Sequence, residues 1–358
     1  MTDNGVCGYI MAKTLTGTKP PAKVKRRASV QKFRLYSQLF SLGINVWIGV
    51  QFYLFVRYID SGGEGWAVSR PPGVEGWLPI SSLVSLRYWW ESGVINGIHP
   101  AGLIIFIVIL VVAFLFKKGF CSWVCPIGLI SETLGDISDR VFRRRIKPPA
   151  WLDYPLRSLK YIILGFFIWA VLIQMTPQSI EAFVYSNYNV VADILMMRFF
   201  TEITRFSLIV IAGLFVLSLV VRGFWCRYLC PYGGLLGLLN FISPTRIIRD
   251  EKSCIDCGAC AKVCPVFIKV DKVAEVRSDE CTGCVACVDS CPVDDTLQIH
   301  MVSRRKPVSK VRWAAMVIVV FWGSLLIFKV MGPWGNTVTE AEYIRHMPAI
   351  KTGQYMHP

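Results

Sequence analysis

Histidine is nearly missing from this 358-residue chain, with only His99, His300, His346 and His357 present. No C-x-x-C-H string occurs, which removes c-type haem attachment, and only His99 stands beside an apolar run, so the axial pair of a membrane b-haem is missing too. No G-x-G-x-x-G opens a strand-to-helix unit and no Walker string occurs, so nicotinamide binding and ATP-driven work lack a basis. Acidic residues are also few, 24 against 39 Lys and Arg, which leaves a net charge of +15.

What is abundant is apolar. Hydrophobic residues make up 54% of the chain, with 12 Trp and a mean hydropathy of +0.47, which excludes an ordinary soluble domain. Five runs approach the ~20 helical residues that cross a hydrocarbon core: Leu35–Val56, His99–Phe116, Ser158–Met175, Phe206–Val221 and Trp313–Met331. The first follows a basic segment with no small-residue cleavage site after it, which reads as an uncleaved anchor. With five spans, 31 of the 39 Lys and Arg fall on one side. The positive-inside rule then sets the N-terminus in the cytoplasm and the C-terminus outside. Anionic lipid and topology account for the basic inner face, so no nucleic-acid partner is expected.

Thirteen cysteines are present, and twelve of them are grouped in segments assigned to the reducing side, where metal ligation or redox thiols are favoured over disulfides. Cys7 stands alone. Residues 254–265, CIDCGACAKVCP, and 281–292, CTGCVACVDSCP, each carry C-x2-C-x2-C-x3-C-P, the two-cluster ferredoxin pattern in which the fourth cysteine serves the other cluster. Cys254, Cys257, Cys260 and Cys291 are expected to hold one [4Fe–4S] cluster, and Cys281, Cys284, Cys287 and Cys264 a second. Gly258 and Gly283 are expected to relieve the backbone where amides approach sulfur. A pair of zinc sites is the competing reading, and it needs neither the third C-x2-C step nor the C-P exchange. Asp271, Asp279, Glu280, Asp289, Asp294 and Asp295 read as a solvated face.

Two further strings, CSWVCPIG at 121–128 and CRYLCPYG at 226–233, lie 105 positions apart, each behind an apolar run. Parallel repeats would bring Cys121, Cys125, Cys226 and Cys230 together at the inner face. They would form a third metal or iron–sulfur centre, a redox thiol group, or merely a packed turn.

These two C-x3-C-P strings, the ferredoxin module before the last span and the string RPPGVEGWLPISSL at 70–83 resemble the NapH/NosR/MauN group of membrane polyferredoxins, and within it the YccM-type branch. The resemblance covers nearly all of residues 35–331. It implies electron transfer at the bacterial cytoplasmic membrane, in a role often described as a quinol dehydrogenase component. The outer flavin-binding domain of NosR-type proteins has no room in the short outer segments here, so no flavin is expected.

The expected fold is therefore an α-helical polytopic membrane protein of about five spans in two pseudo-repeated hairpins, with an inserted bacterial-type 2[4Fe–4S] ferredoxin module. Its parts are a basic segment (1–34), the first hairpin (35–130), an interfacial segment (131–157), the second hairpin (158–240), the ferredoxin module (241–306), the final span (307–331) and an outer tail (332–358). Residues 129–145 read as a helix lying on anionic lipid. The tail, with His346, Met347, Met356 and His357, reads as disordered.

The spans contain no redox centre of their own, so a membrane quinone or a partner redox subunit has to complete the circuit. Arg70, Glu75, Arg87, Glu91 and His99 fall near the outer interface and could meet a quinone, with His99 as the candidate proton carrier. Two other functions fit the same motifs: a maturation factor that uses its clusters as reductant, and a non-catalytic anchor for a soluble reductase.

Overall fold

The computed structural model describes residues 30–301 and 303–355. Cys7, most of the basic N-terminal segment, Met356 and His357 lie outside them. Helices dominate: α1 (Val30–Asp60), α2 (Pro79–Ser92), α3 (Pro100–Phe116), α4 (Pro126–Val141), α5 (Ala150–Trp169), α6 (Ala192–Thr201), α7 (Arg205–Val220), α8 (Pro231–Ile242), α9 (Lys310–Met331) and α10 (Glu340–Lys351). Local chemistry sets many of the starts. Proline opens α2, α3, α4 and α8, where its missing N–H costs nothing. The hydroxyls of Thr204, Ser309 and Thr339 cap α7, α9 and α10 by accepting from the backbone N–H three residues on.

Three helices are long and apolar enough to cross a membrane: Val30–Asp60, Ala150–Gln174 and Lys310–Met331. α6 and α7 pass the same test only as a pair bent by 80°. The expected second span is a 17-residue helix, and the expected fourth is the 16-residue α7. At ~1.5 Å per residue, 16 residues reach ~24 Å, less than the ~30 Å of a hydrocarbon core. Against the expectation of about five spans, three helices among the described residues pass this test of length and composition, or four with the bent pair.

Between α8 and α9 the chain forms a three-stranded antiparallel sheet in the order β1 (Thr245–Arg249), β2 (Leu297–Met301), β3 (Ser303–Val308). Ile247 faces Ile299 across the first ladder, and both are buried. Among the described residues the core of this module is continuous with that of the helices. Ile247, Val276, Val285 and Ile299 belong to the same cluster as Val112 and Phe116 of α3, Trp123, and Trp313 of α9. Each of those larger side chains contributes roughly 1.5–3 kcal/mol by leaving water, so the module and the helix ends stabilise each other.

Two expectations are corrected. The described part of the tail is not disordered: α10 buries Tyr343, Met347 and Ile350 in a cluster with Phe52, Phe55 and Ile59 of α1. Nor do Asp279, Glu280 and Asp289 form a solvated face. Glu280 is buried and pairs with Lys160 of α5, Asp279 accepts from the Tyr161 hydroxyl at 2.5 Å, and Asp289 pairs with Lys310 at the start of α9. The helix expected over 129–145 is α4, which buries Leu129 and Leu134 and leaves Ile137 and Val141 exposed.

Candidate functional site

Each C-x2-C-x2-C run ends in a single helical turn, Ala259–Lys262 or Ala286–Asp289. Ahead of the turn, two residues adopt left-handed backbone: Asp256 (φ 54°) and Gly258 (φ 68°) in one run, Gly283 (φ 62°) and Val285 (φ 53°) in the other. Alternating backbone hand curls the chain into a concave loop lined with N–H groups. Glycine occupies only half of these positions, and a β-branched residue such as Val285 is strained there. Gly283 is also fixed by close approach. A Cβ on it would stand 2.9 Å from the Phe116 carbonyl oxygen and 3.0 Å from the Trp313 ring.

Cys264 lies close enough to Cys281 and Cys284 to feel their charge, as does Cys287. Cys254, Cys257, Cys260 and Cys291 line one small pocket together. Backbone N–H groups point at sulfur, as from Ile268 to Cys264 Sγ at 3.3 Å. Among the described residues, no three His, Cys, Asp or Glu side chains converge tightly enough for a single metal ion. Grouped thiols and inward amides suit a polynuclear iron–sulfur cluster.

The C-x3-C-P strings share one local design. Cys125 and Cys230 sit at the N-caps of α4 and α8, each followed by the proline that opens the helix. The Gly233 N–H donates to Cys230 Sγ at 3.3 Å. The glycine three places after each capping cysteine packs on the carbonyl of the leading cysteine, Gly128 on Cys121 and Gly233 on Cys226, where a side chain would intrude. That contact explains the final G of C-x3-C-P-x-G. All four cysteines line a single cavity, and Cys121 senses the charge of the other three. Burial pushes the Cys226 thiol up to about 12 and Cys125 up to about 11. Thiols in such surroundings are poor standing nucleophiles.

The residues between the paired cysteines bind the ferredoxin module. The Ser122 hydroxyl donates to the Thr282 carbonyl at 2.7 Å, and the Trp123 indole to the Gly283 carbonyl at 3.1 Å. In the second string, Arg227 donates to the Val266 carbonyl at 3.2 Å, while Arg227 and Tyr228 both bond Asp153 of α5. Lys118 stands 4.0 Å from Glu280, which adjoins Cys281. Both strings therefore meet the module at segments flanking Cys281, Cys284 and Cys264. Asp153, Lys160 and Glu280 form this seam and carry no motif of their own.

The cavity holds about 1460 Å³ and runs from the four cysteines to Arg70, Pro71 and Trp77. Beyond that end lies a buried polar network. Arg70 bonds Glu75 at 2.8 Å and Asp193 at 2.7 Å. His99 faces Arg70 at 3.4 Å and the Asn189 carbonyl at 2.7 Å, so both its ring nitrogens are engaged. Arg70 borders the cavity, whereas His99 and Glu75 stand behind it. Arg87 and Glu91 pair with each other instead, and Arg87 turns to the Val171 carbonyl. Asp193 and Asn189 had no sequence signal, since each joins through a contact more than 80 positions away.

A family model for a 4Fe-4S binding domain matches residues 98–149 and 205–249, which contain the two C-x3-C-P strings. A 4Fe-4S dicluster domain matches residues 247–300 and contains the other eight cysteines. The "Putative electron transport protein YccM" of Escherichia coli is 41% identical over 93% of this chain and 94% of its own length. The methylamine utilization ferredoxin-type protein MauN of Methylorubrum extorquens is 28% identical over 61% of this chain and 74% of its own. The ferredoxin-type protein NapH of Escherichia coli is 28% identical over 50% of this chain and 60% of its own. No solved structure is significantly similar. With ferredoxin loops joined to apolar helices and a relative matching almost end to end, the chain belongs to the YccM family of ferredoxin-type electron transport proteins.

Proposed function

We propose that this protein carries electrons at the bacterial inner membrane, between a quinol/quinone couple or a redox partner subunit and [4Fe–4S] clusters on the cytoplasmic face. The observation that carries this reading is the seam between the C-x3-C strings and the ferredoxin module, made by Ser122 and Trp123 on the Cys281 loop and by Arg227 on Val266 beside Cys264. Cys281, Cys284, Cys287 and Cys264 would hold the cluster nearest that seam, and Cys254, Cys257, Cys260 and Cys291 the outermost one. Cys121, Cys125, Cys226 and Cys230 would hold a third. A [4Fe–4S] cluster supplies one-electron redox chemistry when bound.

The chain's own groups favour that cargo. Helix N-termini and inward amides at Cys125 and Cys230 stabilise thiolate sulfur, and Lys118 adds a cation close to them. The basic inner face suits anionic lipid. The apolar cavity beside the cysteines gives a lipophilic quinone a place to meet them.

Iron and sulfide quantitation with EPR, followed by a quinol titration, tests the reading. About twelve iron atoms per chain are expected with all three sets filled, and about eight would remove the C-x3-C set as a cluster site. Clusters that no quinol reduces and no quinone reoxidises would rule out the quinone and leave the partner subunit.

A further inference from the structure

The cavity that reaches the C-x3-C cysteines has two polar ends, and they differ in how their groups are satisfied. At the outer end, Arg70 is bonded to Glu75 and Asp193, Gln51 to Ser69, and Asn45 to the Trp77 indole. A ring carbonyl arriving there would have to displace existing bonds, at a cost set by the groups left unpaired.

The inner end also carries paired groups, Arg34 with Glu132 and Arg222 with Asp136 and Asp139, but it keeps one hydroxyl unbonded. Tyr232, the variable residue of C-P-x-G in the second string, lines the cavity, and its hydroxyl makes no hydrogen bond among the described residues. Its ring is held edge-on against Phe106 of α3, with centroids 5.7 Å apart, so its position is set without the hydroxyl. It feels the charges of Cys121, Cys125 and Cys230. Lys118 borders the same space, and among the described residues its salt-bridge partner is Glu280, 4.0 Å away. The matching position in the first string is Ile127, which also lines the cavity and offers no donor. Between the ends the wall is apolar, with Ile109, Leu164, Phe167 and Phe321 along it.

We infer that the inner end of this cavity is the ring subsite for a quinone, with the Tyr232 hydroxyl donating to a ring carbonyl, Lys118 beside it and the isoprenoid tail lying along the apolar wall toward Trp77. The inference rests on the quinone reading above and adds where the ring sits and which side chain holds it. It puts the ring next to the four cysteines rather than at Arg70 and His99.

The test uses the whole, cluster-loaded protein in detergent and an isoprenoid azidoquinone that cross-links on illumination. Peptides spanning 117–128 and 226–240 are expected to carry the label. Tyr232→Phe, which keeps the ring and its packing, is expected to bind the unactivated probe about five- to tenfold more weakly, with unchanged iron content, as for loss of one hydrogen bond. Label confined to 69–77, or unchanged affinity in Tyr232→Phe, would overturn the subsite while leaving the quinone reading intact. If labelling cannot be competed by unmodified quinone even in the native protein, the subsite and the quinone reading fall together.

Discussion

The indole N–H of Trp123 donates to the carbonyl of Gly283 at 3.1 Å, across 160 positions of sequence. One residue lies inside the first C-x3-C string and the other inside the Cys281–Cys284 loop. Trp123 is fully buried and packs on Trp313. Trp123→Phe keeps most of the packing and leaves the carbonyl unpaired, at about 1–3 kcal/mol. The expected outcome is a lower melting temperature in detergent together with an altered EPR line shape for one cluster, at unchanged iron content.

Asp153 is the anchor of the second string. It accepts from Arg227 at 3.0 Å and from the Tyr228 hydroxyl at 2.6 Å, and Asp153 and Arg227 are both buried. Asp153→Ala would leave the guanidinium uncompensated, which typically costs about 3–5 kcal/mol. Purified variant is expected to lose the iron of the C-x3-C set first, retaining about eight of about twelve atoms per chain.

Gly283→Ala forces a side chain into left-handed backbone and against the Phe116 carbonyl and the Trp313 ring. Strain of about 1–3 kcal/mol is expected. Because the intruded groups belong to α3 and α9, limited proteolysis between residues 243 and 309 is expected to speed up relative to the native protein.

The Arg34–Glu132 pair ties α1 to α4 through two bonds, at 2.7 and 2.5 Å. Although burial alone would raise it, the Arg34 guanidinium holds the Glu132 carboxyl below its ordinary value. A depressed folded pKa stabilises above the unfolded value and loses that contribution as pH falls through the folded one. Melting temperature is thus expected to fall on acidification below the usual carboxylate range, and Glu132→Gln is expected to show a flatter acid limb with a lower plateau at neutral pH.

Local spacing carried the legible part of the site. The grouping of the twelve cysteines was legible because the turns that carry them are built from adjacent residues. Asp153, Lys160 and Glu280 could not, because each finds its partner more than 70 positions away and a lone charge beside a span looks like a boundary marker. Glu280 and Asp279 resembled a soluble rim for the same reason.

The tail could have been read better. Thr339 and Glu342 have the spacing of a helix start, and the Thr339 hydroxyl does accept from the Glu342 N–H at 3.3 Å. Tyr343, Met347 and Ile350 follow at helical intervals. The fourth apolar run, Phe206–Val221, coincides with α7, while hydropathy does not register the 80° corner that joins it to α6.

The single core shared by the sheet, α3, Trp123 and α9 also constrains biogenesis. Trp313 reaches Gly283 only after residues 281–292 have been synthesised and curled, and Trp123 waits exposed until then. The helices around Trp123 and Trp313 therefore complete their packing only when the 281–292 loop is seated between them, so disorder in that loop would loosen α3 and α9 as well.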